Sequence, residues 1–359
     1  MTTRARRAGR IAVAAGASVV AGSVALASAG VEPFPTWLYH FAWYGTLLAL
    51  WGELAWRDGR PPLGVGEAIS LLFWSAVFWY VYELFNLRLA NWYYVLVPDE
   101  RTLRWAGTFV AFATVLPALR LGYAWMERWG VAEGWRRPRF RVRGGHLVAL
   151  FGGGMAFLAL ALWRPLAFFP LVWGAVTLLL EPWNWSRDPG SSLFGDLSRG
   201  RYGRIVRLLA GGLAIGLLWE SFNWAAGARW IYTVPGLEGL KLFEMPLPGF
   251  LGFPVLALDG YVAYRTLGHL GVAAPGWDED DPESREVVRG APPSGAPVAV
   301  EDPAGPVGGE GTRGGLRPVR TTAAVVLGLL FCGGVQAGVD RWTVDSVQAP
   351  LEALPAVSD

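Results

Sequence analysis

Long apolar runs, not alternating or heptad patterns, organise this chain. Nine stretches, at about 10–29, 36–55, 67–87, 105–126, 146–163, 166–182, 205–225, 246–267 and 321–339, are predominantly apolar. Most approach the roughly 20 residues that a helix needs to cross a hydrocarbon core. They predict nine transmembrane helices. The runs at 146–163 and 166–182 are separated only by Arg164 and Pro165, which predicts a tight helical hairpin.

The cationic residues between the runs give a direction. Arg4, Arg6, Arg7 and Arg10, then Arg57 and Arg60, then Arg136, Arg137, Arg139, Arg141 and Arg143, then Arg199, Arg201, Arg204 and Arg207 fall on one side of the predicted topology, and few fall on the other. Short cytoplasmic loops retain Arg and Lys, so the N-terminus is expected inside. The first run also reads as a cleavable signal peptide, with a basic start, an Ala/Val/Gly stretch and Ala27-Ser28-Ala29. Either reading leaves residue 31 outside. Residues 271–320 are rich in Gly, Pro, Ala and acids and have no apolar period, which predicts a disordered cytoplasmic linker. Their acidic run Asp278, Glu279, Asp280 and Asp281 lacks the ligand spacing of a calcium loop.

Composition agrees with a bilayer setting. Of 359 residues, 53% are hydrophobic and 17% charged, against about 25% charged in average soluble domains. The net charge of +2 argues against nucleic-acid binding. One Cys and three His provide neither a disulfide nor a metal cluster, so no cofactor or metal is expected. The single Lys among 31 cationic residues fits a GC-rich bacterial genome and hence an inner-membrane protein.

The chain also resembles itself. At an offset of 137, ELFNLRLANWYYVLVP (83–98) aligns without a gap on ESFNWAAGARWIYTVP (220–235), pairing Glu83 with Glu220, Phe85 with Phe222, Asn86 with Asn223 and Pro98 with Pro235. The register continues to Pro117 with Pro254. Upstream, residues 43–59 resemble 173–190 at an offset near 130. The expected fold is an all-α polytopic bundle: a first helix or signal peptide (1–30), two parallel four-helix repeats (31–135 and 136–270), the linker, a ninth helix (321–340) and a periplasmic tail (341–359). Parallel repeats share an axis along the membrane normal, so equivalent residues lie at equal depth. Glu83 and Glu220 each fall about 16 residues into their spans, or ~24 Å of travel, in the outer half of the bilayer.

Charges inside a membrane are costly, and by default they raise a functional hypothesis. Glu83 and Glu220 are the candidate proton-transfer groups, with Asn86 and Asn223 one turn further out. The alternative is that each acid is bonded to a neighbouring Trp or Asn and pins its own repeat. Pro117 and Pro254 lie mid-span and are expected to kink their helices. Arg120 and Asp259 follow them and suggest an ion pair with each other, or one between Arg120 and Glu83. The segment LFEMPLPGFLGFP (242–254) is expected to re-enter the membrane as broken structure. Trp92, Tyr93, Tyr94, Trp230 and Tyr232 fit an interfacial belt. Trp74, Trp79, Tyr80, Trp219 and Trp224 lie in or at the ends of spans, where rings beside an acid can hold a polyene or stabilise a carbocation.

On Glu220, Gly227, Trp230-Ile231-Tyr232 and Pro246-Leu247-Pro248, the second repeat resembles the small membrane-embedded lycopene cyclase domain and related carotenoid hydratases. It also resembles an uncharacterised bacterial multipass family sharing W-E-x-x-N and W-x-Y-x-x-P. The resemblance covers about 50 residues and implies an isoprenoid substrate handled by an intramembrane acid. The cyclases' paired acids after Pro-Leu are replaced here by Pro248-Gly249, with only Glu244 nearby.

Three functions follow as expectations. In the first, an apolar isoprenoid or lipid-like substrate is bound, and can be transformed, with Glu83 and Glu220 catalytic and Asn86, Asn223, Trp219, Trp230, Tyr232, Glu244, Arg120 and Asp259 contacting substrate. In the second, the chain is a proton-coupled carrier or flippase. In the third, it is a scaffold that docks a membrane-protein partner through the C-terminal helix, where Gly328, Gly333, Gly334 and Gly338 allow close approach.

Overall fold

The computed structural model describes residues 2–233, 239–274, 276–277 and 313–345. Among them the helices are α1 (Thr2–Ser28), α2 (Phe34–Asp58), α3 (Val65–Leu89), α4 (Arg101–Phe112), α5 (Val115–Arg128), α6 (Gly144–Trp163), α7 (Pro165–Phe168), α8 (Ala175–Arg187), α9 (Leu193–Arg199), α10 (Gly203–Ala225), α11 (Gly252–His269) and α12 (Arg313–Trp342). Five short strands accompany them: β1 (Trp92–Val95), β2 (Arg229–Tyr232), β3 (Lys241–Leu242), β4 (Met245–Pro246) and β5 (Val344–Asp345). Eight helical segments are long and apolar enough to cross a membrane, and the chain is an all-α polytopic bundle. These eight coincide with eight of the nine predicted runs. The other run is helical as α2, whose 25 residues are long enough, but Trp37, His40, Tyr44, Glu53 and Arg57 dilute its apolar content.

Helices α1 and α2 meet backbone to backbone. A Cβ on Gly9 would lie 2.6 Å from the Gly52 carbonyl oxygen, and one on Gly16 would lie 2.9 Å from the Ala49 Cβ. The contact is thus made by small residues seven apart, Gly9 and Gly16 on α1 against Gly52 and Gly45 on α2, which lets the axes approach closely where apolar burial cannot drive association. Helix α10 uses the same device centrally: Gly211 meets the backbone of Gly122 on α5, and Gly212 faces the Phe253 carbonyl at the start of α11.

Three spans are assembled from broken helices. The break between α4 and α5 falls at Ala113 and Thr114, so Pro117 occupies the first turn of α5, where its missing N–H costs nothing. Pro254 likewise sits in the first turn of α11, after a 3-10 turn at Leu247–Leu251. The sequence reading placed a kink at each proline; the interruption in fact precedes it. Side chains satisfy the freed backbone groups, as they must in an apolar medium. Ser75 Oγ donates to the Phe112 carbonyl at 2.6 Å and accepts from Leu116 N at 2.9 Å. Trp43 Nε1 donates to Thr114 Oγ1 at 2.9 Å.

The predicted 166–182 span is equally irregular. It runs through α7 and a 3-10 turn at Phe169–Val172, then restarts at Gly174 with α8. Fully buried Asp259 of α11 caps that restart: its carboxylate accepts from Gly174 N and Thr177 N, each at 2.8 Å, from Thr177 Oγ1, and from Tyr82 Oη at 2.7 Å. An acid at a helix N-terminus answers both the unpaired amides and the helix dipole, here from a different helix.

The first residues assigned to the linker are packed. Trp277 is 2% exposed against Tyr261 and Tyr264, and Ser70 Oγ accepts from Ala274 N at 2.9 Å. Residues 313–320, also assigned to the linker, are helical as the start of α12, which begins eight residues before the predicted ninth helix; 275, 278–312 and 346–359 lie outside the described residues. Helix α12 packs along α3 of its own chain, where Tyr80 Oη donates to Gln336 Oε1 at 2.7 Å.

Removing the Asp259 carboxylate strands four buried donors, each costing roughly 1–3 kcal/mol when unsatisfied. Asp259→Ala is therefore expected to lower Tm clearly in detergent, and Asp259→Asn to lower it less. An alanine variant that melts with the wild type would sink the capping role.

Candidate functional site

Both acids are placed by the same local construction. Helix α3 ends at Ala90, whose left-handed φ of 52° turns the chain back into β1. Asn86 fixes that return. Its Oδ1 accepts from Asn91 N at 2.9 Å and Trp92 N at 3.3 Å, and its Nδ2 donates to the Trp92 carbonyl at 2.8 Å. Side chains two apart on a strand share a face, so Trp92 and Tyr94 both reach Glu83. Trp92 Nε1 at 3.0 Å, Tyr94 Oη at 2.5 Å and, from one turn earlier in α3, Trp79 Nε1 at 3.0 Å all donate to Glu83 Oε1. Glu83 Oε2 is buried without a partner.

Helix α10 and β2 repeat this pattern with one change. Asn223 Oδ1 accepts from Trp230 N and its Nδ2 donates to the Trp230 carbonyl, both at 3.0 Å. Tyr232 Oη donates to Glu220 Oε1 at 2.8 Å, but Trp230 Nε1 donates to Tyr232 Oη at 2.9 Å and not to the acid. The position matching Trp79 is Gly216, where any Cβ would strike the Phe253 ring. Glu220 thus has one direct donor against three for Glu83, and its Oε2 is also buried without a partner. The bonding matches Trp92 with Trp230 and Tyr94 with Tyr232, an offset of 138. The ungapped register of 137 therefore slips by one residue between the asparagine and the strand.

The two constructions face each other. Strands β1 and β2 pair antiparallel with Trp92 opposite Tyr232, Tyr93 opposite Ile231 and Tyr94 opposite Trp230, an exchange centred on one residue pair. Trp79 and Trp219 meet across the junction with ring centroids 5.3 Å apart. Between the halves lies a cavity of about 140 Å³ lined by Trp79, Trp92, Tyr94, Trp219, Glu220, Trp230, Tyr232, Tyr39, Trp173 and Phe253, with Thr36, Pro98, Arg104 and Arg229 also on its wall. Burial and the adjacent acids push the Tyr94 and Tyr232 phenols well above their ordinary values, so both remain hydroxyl donors at neutral pH.

The cations on the wall already have partners. Arg104 forms a two-pronged pair with Asp340 of α12, at 2.6 and 2.8 Å, and donates to the carbonyls of Pro98 and Asp99. Arg229 lies 3.7 Å from Glu244. Strand β5 adds to the free edge of β1, with Tyr94 N donating to the Thr343 carbonyl at 2.8 Å. The C-terminal segment therefore braces the strand that carries a donor to Glu83.

Of the residues singled out in the sequence, Glu220, Trp219, Trp230 and Tyr232 line the cavity, while Glu83 lies behind its wall, bonded to Trp79, Trp92 and Tyr94. Asn86 and Asn223 are spent on the backbone, and Glu244 stands behind Arg229. The ion pairs expected for Arg120 do not form: Arg120 Nε meets Glu67 at 3.2 Å, while Asp259 caps α8. Sequence reasoning placed Trp79 among the rings beside an acid but left Trp92 and Tyr94 in the interfacial belt. The signal for those two was the W-x-Y spacing that follows each acid. Tyr39, His40 and Arg104 carried no local signal, since distant segments bring them in. Comparison with protein-family models, with curated proteins and with solved structures returns no match.

The unequal donor sets can be tested. Tyr232→Phe removes the one direct donor to Glu220 found among the described residues, whereas Tyr94→Phe leaves Glu83 two indole donors. Stranding a buried acceptor costs roughly 1–3 kcal/mol and losing one bond of several about 1, so Tyr232→Phe should depress Tm further than Tyr94→Phe. The reverse order would contradict the assignment.

Proposed function

We propose that this integral membrane protein binds an isoprenoid or lipid-like molecule in the aromatic cavity, with Glu220, seconded by Glu83, as the proton donor or acceptor toward it. The observation that carries this reading is the buried Glu220 carboxyl on the wall of an aromatic-lined space, one of its oxygens unpartnered among the described residues, with Glu83 in the layer of rings behind that wall. Buried polar atoms are normally bonded, and unpaired ones beside a cavity are what a ligand would complete. Glu220 is the better placed for chemistry. It lines the cavity and keeps one donor, whereas Glu83 sits behind Trp79, Trp92 and Tyr94.

The volume limits the guest. An engineered cavity of about 150 Å³ holds benzene, so roughly 140 Å³ accommodates one ring or one isoprene-sized end group. The rest of a longer molecule would leave through the wall. The matching bonds around Glu83 and Glu220 support a duplicated unit as the origin of the two half-sites. The reading is tested by purifying the protein, extracting bound lipids for mass spectrometry and repeating with Glu220→Gln. A bound species that is lost or altered in the variant is expected. A ligand-free preparation, or an identical profile in the variant, overturns it.

Charge bias among the loops supports a bacterial inner-membrane location with the N-terminus inside, which puts the cavity at the periplasmic end of the bundle. Alkaline phosphatase fused after Thr233 should then be active and green fluorescent protein fused after Trp277 fluorescent. The opposite pattern would invert the topology.

A further inference from the structure

We propose that the group seated beside Glu220 in the aromatic cavity is an alkylammonium, carried by a lipid headgroup or a small free molecule. This rests on the cavity being a ligand site and narrows its ligand class. Three observations carry it.

The first is an unanswered acid. Fully buried Glu220 lines the cavity with Oε2 unbonded among the described residues, and the arginines on the wall are held by Asp340 and Glu244. His40 directs Nε2 at the Gly107 carbonyl, 2.9 Å away. A carboxyl in such a place is either neutral or paired with a cation, and a cation in the cavity would pair it.

The second is the wall. Trp79, Trp92, Trp173, Trp219 and Trp230 contribute indole faces to one small volume. Trp173 and Trp92 are stacked at 6.3 Å, and Trp219 and Trp230 stand edge to face at 6.1 Å. Such faces are electron-rich and attract cations, Trp most strongly, and aromatic cages recognise quaternary ammonium groups. A neutral polyene would gain from the rings but would leave Glu220 Oε2 without a counter-charge.

The third is position and size. The cavity lies where α3 and α10 end and α4 and α11 begin, with Thr36, Pro98 and Arg229 on its wall. In the expected topology those helix ends face the membrane–water boundary, the depth of lipid headgroups. The volume is of the order of a trimethylammonium group. An ammonium placed there would present methyl groups to the indoles and its charge to Glu220 Oε2.

The test uses the full chain in phosphatidylglycerol nanodiscs, with radiolabelled choline as the probe and 3,3-dimethylbutan-1-ol, its uncharged isostere, as competitor. Choline should bind saturably. The isostere should compete at least about tenfold less well, and Glu220→Gln should weaken choline by a similar factor. Because the isostere comparison uses the wild type, a misfolded variant does not rescue the proposal. Loss of choline binding on adding phosphatidylcholine to the disc identifies a lipid headgroup as the source; binding indifferent to it identifies a soluble ammonium. Equal competition by the isostere overturns the proposal, as does absence of choline binding. Farnesol bound without choline would overturn only the ammonium assignment. Neither bound would overturn the ligand reading beneath it as well.

Discussion

Keeping a carboxyl group out of water demands donors, and in this chain the donors arrive on a returning strand. An asparagine one turn beyond each acid accepts from and donates to the strand backbone, and this aims a tyrosine hydroxyl back at the carboxyl. Much of the outer architecture depends on that return. The two strands have a shared edge and pair, the pairing closes the space between the halves, and the other edge of β1 is left for β5. A polar requirement inside an apolar bundle thus generates a small sheet in an otherwise helical protein, in line with the rule that backbone in such surroundings must find internal partners.

The same rule shapes the interrupted spans. Where α4 gives way to α5 and where α8 restarts, the exposed amides and carbonyls are met by Ser75, Thr114 and Asp259 from neighbouring segments. These residues look like functional polar groups when read in a line of sequence. In space they are caps. Asp259 differs from Glu83 and Glu220 in this respect: its oxygens are fully engaged by four donors, whereas each glutamate leaves one oxygen bare.

The helical layout was legible in the sequence because apolar runs of bilayer length can form little else. The acids were legible because their context recurs at a constant offset. What one dimension could not carry was partnership. Arg120 and Asp259 sit at similar depth, but depth says nothing about which face of a helix a residue occupies, and each found a partner elsewhere. The slip of one residue before Trp230 was invisible to an ungapped comparison, although Trp79 against Gly216 was there to be read. That exchange of an indole for a hydrogen atom is the physical source of the difference between the two acids. It removes a donor at Glu220 and admits the Phe253 ring.

Strand β5 and Asp340 follow the tether in the chain, yet they buttress Tyr94 and Arg104, which were made some 240 residues earlier. During synthesis, the walls around Glu83 therefore wait for α12 to be inserted before they are secured. A chain released before α12 would keep an unbraced sheet edge and an Arg104 without its carboxylate, so the two half-sites, though alike in construction, do not mature together.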